Sequence, residues 1–263
     1  MNSEAQGRAM NSISQNKYST SKSVIVIIPT LNEEHGIGLT IEEVKKNIDA
    51  EIINIDANSV DKTQEIAASL GAKVIKQRGF GKGVAIAQAL QCLNQNTKYI
   101  VIMDGDYTYS ATYIPQMLKV LEKNTDFEMV TGKRFSNDDA LLTHFKRIVK
   151  SPYWFGNYAI AFTHRILNNV SMNDPLTGLR VIRFDCIKYF QPKAKSFDIE
   201  VELNNYIKKQ GGKIFEIPIE YRQRLGEKKL KTRHAFIIFM RMVVMAVEDF
   251  LLRIKSSLRN KNK

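Results

Sequence analysis

Ser23-Val24-Ile25-Val26-Ile27-Ile28-Pro29-Thr30-Leu31-Asn32-Glu33-Glu34 places five consecutive β-branched residues ahead of a proline and a polar cluster. A run that is apolar at every position belongs to a strand covered by helices on both faces; a strand with one wet face would alternate. Proline, which has no N–H to give, closes the run at residue 28. Outward from this strand the pattern repeats. Helical spacing over residues 39–48, 60–70, 83–93 and 111–121 alternates with short apolar runs at 51–56, 73–76, 99–104 and 127–131. Strands separated by helices of this length predict βαβ units and a mostly parallel sheet, an α/β fold. Beyond residue 140 the alternation stops. A long helical region (141–167), a loop (173–178), a short strand, a helix (198–209) and a strand (213–219) precede a last helix over 232–257.

Composition limits what such a chain can be. It has 263 residues, 44% of them hydrophobic and 25% charged, enough for a sizeable core and too apolar for wholesale disorder. Two cysteines, Cys92 and Cys186, make no disulfide framework, so a reducing compartment is expected. The net charge of +12 is uneven: residues 1–141 carry −2 and residues 142–263 carry +14. That asymmetry points to an anionic partner for the back half. Residues 1–22 are polar and lack a signal-peptide core; they read as a disordered leader, residues 23–231 as the folded domain and 232–263 as an amphipathic helix with a basic tail. The most apolar stretch, 235–247, is short and interrupted by Arg241. A cytoplasmic protein that lies on a membrane without spanning it is the expectation.

In an open parallel sheet, functional groups gather beyond the carboxyl ends of the strands. Four polar clusters fall there: Pro29 to Glu34, Asp56-Ala57-Asn58-Ser59-Val60-Asp61, Gly79-Phe80-Gly81-Lys82-Gly83 and Asp104-Gly105-Asp106. Two carboxylates one residue apart repel unless a cation joins them, and a hard divalent ion such as Mg²⁺ uses one or two carboxylates plus substrate phosphates. Asp-Gly is also ordinary turn chemistry. Asn58 or Ser59 suits the cap of the next helix, leaving Asp56 for a base or ribose edge. Gly81-Lys82-Gly83 has glycines and a charge suited to phosphate, yet lacks the Ser or Thr of a Walker A and the G-x-G-x-x-G spacing; a helix-opening turn serves equally. His35, His144, His164 and His234 show no metal spacing, and no G-x-S-x-G nucleophile motif is present.

Taken in order, these clusters resemble a family 2 glycosyltransferase of the GT-A fold, a Rossmann-like sheet flanked by helices. The resemblance is to the branch that makes dolichol-phosphate mannose and related polyprenyl-phosphate sugars. Further matching segments are Tyr107-Thr108-Tyr109, Gly132-Lys133-Arg134, Asp174-Pro175-Leu176-Thr177-Gly178-Leu179-Arg180, Phe197-Asp198-Ile199-Glu200, Ile217-Pro218-Ile219 and Arg224 to Leu230. The resemblance implies that Pro29, Thr30, Glu33, Asp56 and Lys82 line a nucleotide pocket. It implies that Asp104 and Asp106 hold Mg²⁺ or Mn²⁺ against the diphosphate, with Asp106, Arg134 and Arg180 catalytic. Arg134, Arg180, Arg224 and Lys229 would meet donor and acceptor phosphates. A nucleotide-sugar donor, a polyprenyl phosphate acceptor and an anionic membrane surface are the implied partners, and no nucleic acid. Asp56-Ala57 departs from the Asp-Asp or Asp-Gly common in the family, and Lys228 stands where Ser is common; many relatives also carry C-terminal membrane-spanning helices.

A phosphate acceptor is largely ionised at neutral pH and needs no general base. A hydroxyl acceptor would need one, with Glu200 the candidate. Binding of nucleic acid through the basic half is the remaining alternative, and it gives Asp104 and Asp106 no purpose. The apolar run Phe236 to Met245, Phe250-Leu251-Leu252 and the five Lys/Arg of residues 253–263 suit an interfacial helix; Tyr153-Trp154-Phe155, near Lys146, Arg147, Lys150 and Arg165, adds to that surface. A core helix with a solvated tail fits the same pattern.

Overall fold

The computed structural model describes residues 22–93, 95–134, 152–227, 229 and 232–261. The expected leader, apart from Lys22, falls outside them, as do residues 141–151 of the long helix with His144, Lys146, Arg147 and Lys150, and also Lys228 and Leu230. The described residues form strands β1 (Val24–Thr30), β2 (Glu51–Asp56), β3 (Lys73–Lys76), β4 (Tyr99–Ile102), β5 (Phe127–Lys133), β6 (Arg180–Arg183) and β7 (Lys213–Pro218). With them come helices α1 (Ile37–Asn47), α2 (Thr63–Ser69), α3 (Lys82–Leu90), α4 (Ile114–Lys123), α5 (Pro152–Asn168), α6 (Phe184–Ile187), α7 (Ile199–Lys209) and α8 (Thr232–Lys261). The sheet order is β3-β2-β1-β4-β6-β5-β7.

The apolar run does what its composition demands. Val26 and Ile28 point to one face, packed against Ile37, Ile41 and Val44 of α1 and Ile114, Met117 and Leu121 of α4. Ile25 and Ile27 point to the other, against Ala85, Ile86 and Ala89 of α3 and Ile199, Leu203 and Ile207 of α7. All four strand residues are fully buried, so each contributes roughly 1.5–3 kcal/mol of transfer free energy.

Pro29 lies inside β1 and does not end it, because its missing donor is harmless where it sits. It pairs with β2 opposite Ile55, while the register with β4 stops at Ile27–Ile102. The Met103 N–H reaches the Ile27 carbonyl, and the next donor on that edge would have come from residue 29. β1 and β4 therefore part after Met103, and Asp104-Gly105-Asp106 leaves the sheet in the gap.

One direction was not legible in the sequence. β6 runs antiparallel to both β4 and β5, whereas β7 is parallel to β5. The entrance of β6, rather than its exit, lies on the edge where the other six strands end. That reversal brings the 174–178 loop to the carboxyl edge. The cap expectation also shifts: α2 starts at Thr63, not near Asn58, which sits at φ 61, and Ser59 turns back onto Asp56. Residues 111–113 form a 3₁₀ turn before α4, whose first turn contains Pro115.

Candidate active site at the carboxyl edge

Three of the four non-glycine residues with positive φ among the described residues lie on exits from β1, β2 and β4: Asn32 (50°), Asn58 (61°) and Tyr107 (63°). Strained backbone of this kind persists only where surrounding contacts enforce it, and it concentrates at functional edges. Glycines set the spacing. A Cβ on Gly105 would stand 2.8 Å from Thr30 Cγ2, and one on Gly36 would stand 2.7 Å from Asp106 Cα. The carboxylate loop is pressed between the exit of β1 and the start of α1.

Asp106 is 1% exposed. Its Oδ1 accepts from the Thr108 N–H (3.0 Å) and hydroxyl (2.5 Å), and its Oδ2 pairs with the Arg224 guanidinium. Asp104 Oδ1 is 2.6 Å from Lys82 Nζ, and Lys82 also reaches Glu200 Oε1 at 2.8 Å. Burial would raise the Asp104 pKa, but the Lys82 charge and hydrogen bond, helped by Arg224 and Arg134, hold it below the usual carboxylate range. Burial likewise opposes the Lys82 charge; the two carboxylates outweigh it and keep the ammonium protonated. Glu33 accepts from Lys229 Nζ at 2.6 Å with Arg224 Nη1 3.6 Å away, yet burial still pushes its pKa up to about 7. Loop 221–225 is fastened over this cluster. Arg222 N donates to the Thr108 carbonyl, Leu225 N to the Asp106 carbonyl, and the Arg222 guanidinium forks onto Glu43 of α1 at 2.7 and 3.0 Å.

The sequence-predicted residues divide. Asp104 and Lys82 form one ion-pair group with Glu200, and Asp106, Glu33, Arg224 and Lys229 form a second beside it. Thr30 and Asp56 adjoin each other at the exits of β1 and β2, but Asp56 is fully buried with four donors: Thr30 Oγ1 (3.0 Å), Ser59 N (2.8 Å), Ser59 Oγ (2.5 Å) and Gln64 Nε2 (2.8 Å). Its carboxylate organises the turn after β2. Pro29 sits within β1, opposite Ile55 of β2, just before Thr30. Arg134 and Arg180 both meet protein partners. Arg134 forks onto buried Asp174 at 2.7 Å through both Nε and Nη2. Arg180 is 1% exposed and spends its donors on Thr177 O, Pro175 O and Asn204 Oδ1, which folds the 174–178 loop around it.

The Gly-Lys-Gly segment is a clamp. A Cβ on Gly81 would collide with the Lys195 carbonyl and one on Gly83 with the Ala194 carbonyl; that backbone is held by Glu202, which accepts from Lys193 N (2.9 Å) and Ala194 N (2.6 Å). The glycines admit a neighbouring strand of chain and so bury Lys82. Glu43, Arg222, Glu202 and Glu216, which holds Asn173 and Asp174 by their N–H groups at 2.8 Å, escaped sequence reading because each acts on residues at least eight, and mostly more than forty, positions away.

Asp104 and Asp106 suit a hard divalent cation. They are two oxygen donors at the sheet edge, each secured on one side by its own partners, and Asp106 Oδ2 is buried with no hydrogen bond and the Arg224 charge against it.

The sequence model described as Glycosyl transferase family 2 matches residues 25–190. A dolichyl-phosphate hexose transferase of Haloferax volcanii is 30% identical over 213 residues, covering 80% of this chain and 88% of that protein. A dolichol-phosphate mannosyltransferase of Pyrococcus furiosus is 26% identical over 224 residues, covering 81% of this chain and 60% of its own length. Among solved structures, glucosyl-3-phosphoglycerate synthase from Mycobacterium tuberculosis, crystallised with Mn²⁺, UDP-glucose and phosphoglyceric acid, superposes with a TM-score of 0.66 at 17% identity, over 86% of this chain and 80% of that one. At that identity the likeness speaks for the fold alone, a seven-stranded GT-A sheet. With the family's sequence model spanning more than half of its length and a relative 30% identical along most of both chains, this chain belongs to glycosyl transferase family 2 and is a glycosyltransferase.

Proposed function

We propose that the chain moves a sugar from a UDP- or GDP-linked donor to a polyprenyl (dolichyl) phosphate at a membrane surface, with Mg²⁺ or Mn²⁺ held by Asp104 and Asp106. The observation that carries this reading is the composition of the carboxyl edge: two carboxylates one residue apart, Asp104 against Lys82 and Asp106 against Arg224, with Glu33 paired to Lys229 and Glu200 to Lys82. Glu200, the base a hydroxyl acceptor would require, has its side chain 6% exposed and its Oε1 committed to Lys82. A phosphate oxygen needs no such base, since its second pKa lies near 6. The relatives named for dolichyl-phosphate hexose and dolichol-phosphate mannose transfer favour the same acceptor.

When bound, the cation would supply charge neutralisation at the departing nucleoside diphosphate. The chain's own residues do the rest of the positioning. Lys82 holds the Asp104 carboxylate and Thr108 the Asp106 carboxylate. Arg224 and Lys229, paired to Asp106 and Glu33, bring guanidinium and ammonium groups to the place where phosphate charge collects. Pro29, Thr30 and Glu33 wall the nucleotide side, and Asp56 braces it from beneath. Arg134 and Arg180 shape the far wall through Asp174 and the 174–178 loop. Incubated with Mg²⁺, a polyprenyl phosphate and labelled nucleotide sugars, the protein is expected to move label from one donor class into lipid. Label appearing in no lipid with any donor would overturn the reading.

Helix α8 supports the membrane part. One face packs inward through Ile238, Met242 and Met245, beside Ile160 of α5 and Val201 of α7. The rest leaves Phe236, Phe239, Phe250, Leu252 and Leu258 exposed, and α5 adds Phe155, Phe162 and Ile166. Arg253 and Lys255 are exposed on the same helix, and no helix among the described residues is long and apolar enough to cross a membrane. An apolar surface flanked by cations suits an anionic interface. Sedimentation with phosphatidylglycerol vesicles is expected to fall at least about fivefold on removal of residues 253–263, and to fall with added salt, at roughly 1 kcal/mol per basic residue near the surface. Binding indifferent to both would return this charge to solubility.

A further inference from the structure

Glu200 stands in the first turn of α7, 118 residues from Lys82, and the two meet at 2.8 Å with side-chain exposures of 6% and 8%. Lys82 Nζ is at the same time 2.6 Å from Asp104 Oδ1, and Asp104 remains 27% exposed toward the site. Gly81 and Gly83 on either side of Lys82 are pressed against the 194–196 backbone, which fixes where its side chain starts. One carboxylate would suffice to neutralise a buried lysine, but the chain supplies two. Lys82 paired with Asp104 alone would present a charge of zero to anything approaching. With an ionised Glu200 included, the triad presents −1; burial pushes the Glu200 pKa up, and the Lys82 and Arg180 charges oppose that rise. Asp106 is meanwhile paired with Arg224, so the carboxylate edge would attract a cation poorly if Asp104 were fully cancelled.

We infer that Glu200 is a positioning residue of the metal site: by offsetting Lys82, it lets Asp104 keep a net negative charge toward a divalent cation that Glu200 itself never touches. This rests on the proposal that Asp104 and Asp106 bind the metal. Glu200 Oε2 accepts no hydrogen bond, and Glu200 borders a cavity of about 10 Å³ shared with Arg180, Ile102 and Leu203; the Arg180 guanidinium acts on the carboxylate through charge alone, which leaves Lys82 its one hydrogen-bonded cation.

The test is titration of Mn²⁺ alone, followed by the electron paramagnetic resonance of the free ion, on four folded proteins. Loss of one charge about two ion-pair lengths from the metal predicts that Glu200→Gln binds Mn²⁺ roughly tenfold more weakly than wild type. The Lys82→Met/Glu200→Gln double variant again presents −1, and its affinity should return to within about threefold of wild type. Lys82→Met alone presents −2 and should bind more tightly; if it fails to fold, with Glu200 buried and unpaired, the double variant still decides the matter. Unchanged affinity in Glu200→Gln overturns the inference and leaves the metal site standing. Weak binding in both Glu200→Gln and the double variant also overturns it, since Glu200 would then not act through Lys82. Failure of the wild-type protein to bind Mn²⁺ overturns the metal site itself.

Discussion

Asp106→Asn is expected to lower sugar transfer by about 10³-fold or more, the scale of removing one preorganised electrostatic group from a reacting centre, while the protein stays folded. The fold should survive because the structural task of Asp106 belongs to one oxygen. Oδ1 takes the Thr108 N–H and hydroxyl, and an asparagine Oδ1 accepts both. The functional task belongs to the charge and to Oδ2, which faces Arg224. An amide there offers N–H groups to a guanidinium and to a cation, and binds neither. The 221–225 loop keeps its other ties, Arg222 to Glu43 and Leu225 N to the Asp106 carbonyl, so the melting temperature should move by no more than about 5 °C. Label transfer measured beside circular dichroism separates the two tasks. Full activity in a folded Asp106→Asn protein would remove the metal from the proposal and with it the functional reading of the carboxylate pair.

The parts of this site that are legible in the sequence are those in which one short segment makes both the strand and the functional group. Val24 to Glu34 and Tyr99 to Asp106 each announce a buried strand followed by polar residues, and a parallel sheet puts both exits on one edge. The direction of β6 is not local information. Four residues, Arg180–Arg183, read the same in either orientation, and only pairing with β4 and β5 sets them antiparallel. The partners of the arginines were illegible for the same reason. A motif match names Arg134 and Arg180 but does not say that Asp174 and Asn204 meet them first.

The charge imbalance also resolves into different uses. Within the basic half, Arg180 is buried among carbonyls, Arg222 is tied to Glu43, and Arg241 pairs with buried Asp198 at 2.9 Å. These positive charges are spent on groups of the protein itself. Arg224 and Lys229 face the carboxylate edge, and Arg253 and Lys255 face solvent. Net charge identified an anionic partner correctly in kind only if the last two groups, a minority of the total, carry the binding. That division explains why the vesicle experiment removes residues 253–263 and leaves the remaining cations in place.

Gly178→Ala should be nearly as damaging to catalysis as the loss of a carboxylate, although it removes no chemical group. Gly178 N donates to the Tyr109 hydroxyl at 2.7 Å, which fixes the loop against the sheet edge. A Cβ at this position would collide with Asp104 Oδ2 and stand 2.7 Å from Asp104 Cγ and 2.9 Å from Tyr109 Cε2. Its φ is not in the left-handed region, so the obstacle is purely the neighbour's volume. Tyr109 is 1% exposed and cannot retreat; Asp104 is the side chain with room, and its retreat breaks the contact with Lys82. A displacement on the order of 1 Å at a positioned group lowers rate by about 10²-fold, and forcing one extra methyl into a packed site costs about 1–3 kcal/mol. The loss should therefore appear in kcat and in Mn²⁺ affinity together, at a stability penalty that leaves most of the protein folded. Gly156→Ala supplies the contrast: it lies within α5, a Cβ there meets nothing within 4 Å, and the change should leave transfer intact while stabilising the helix by up to about 1 kcal/mol. If Gly178→Ala matched Gly156→Ala in transfer rate, Asp104 would not need the position it occupies, and the carboxylate pair would lose its claim to act as a unit.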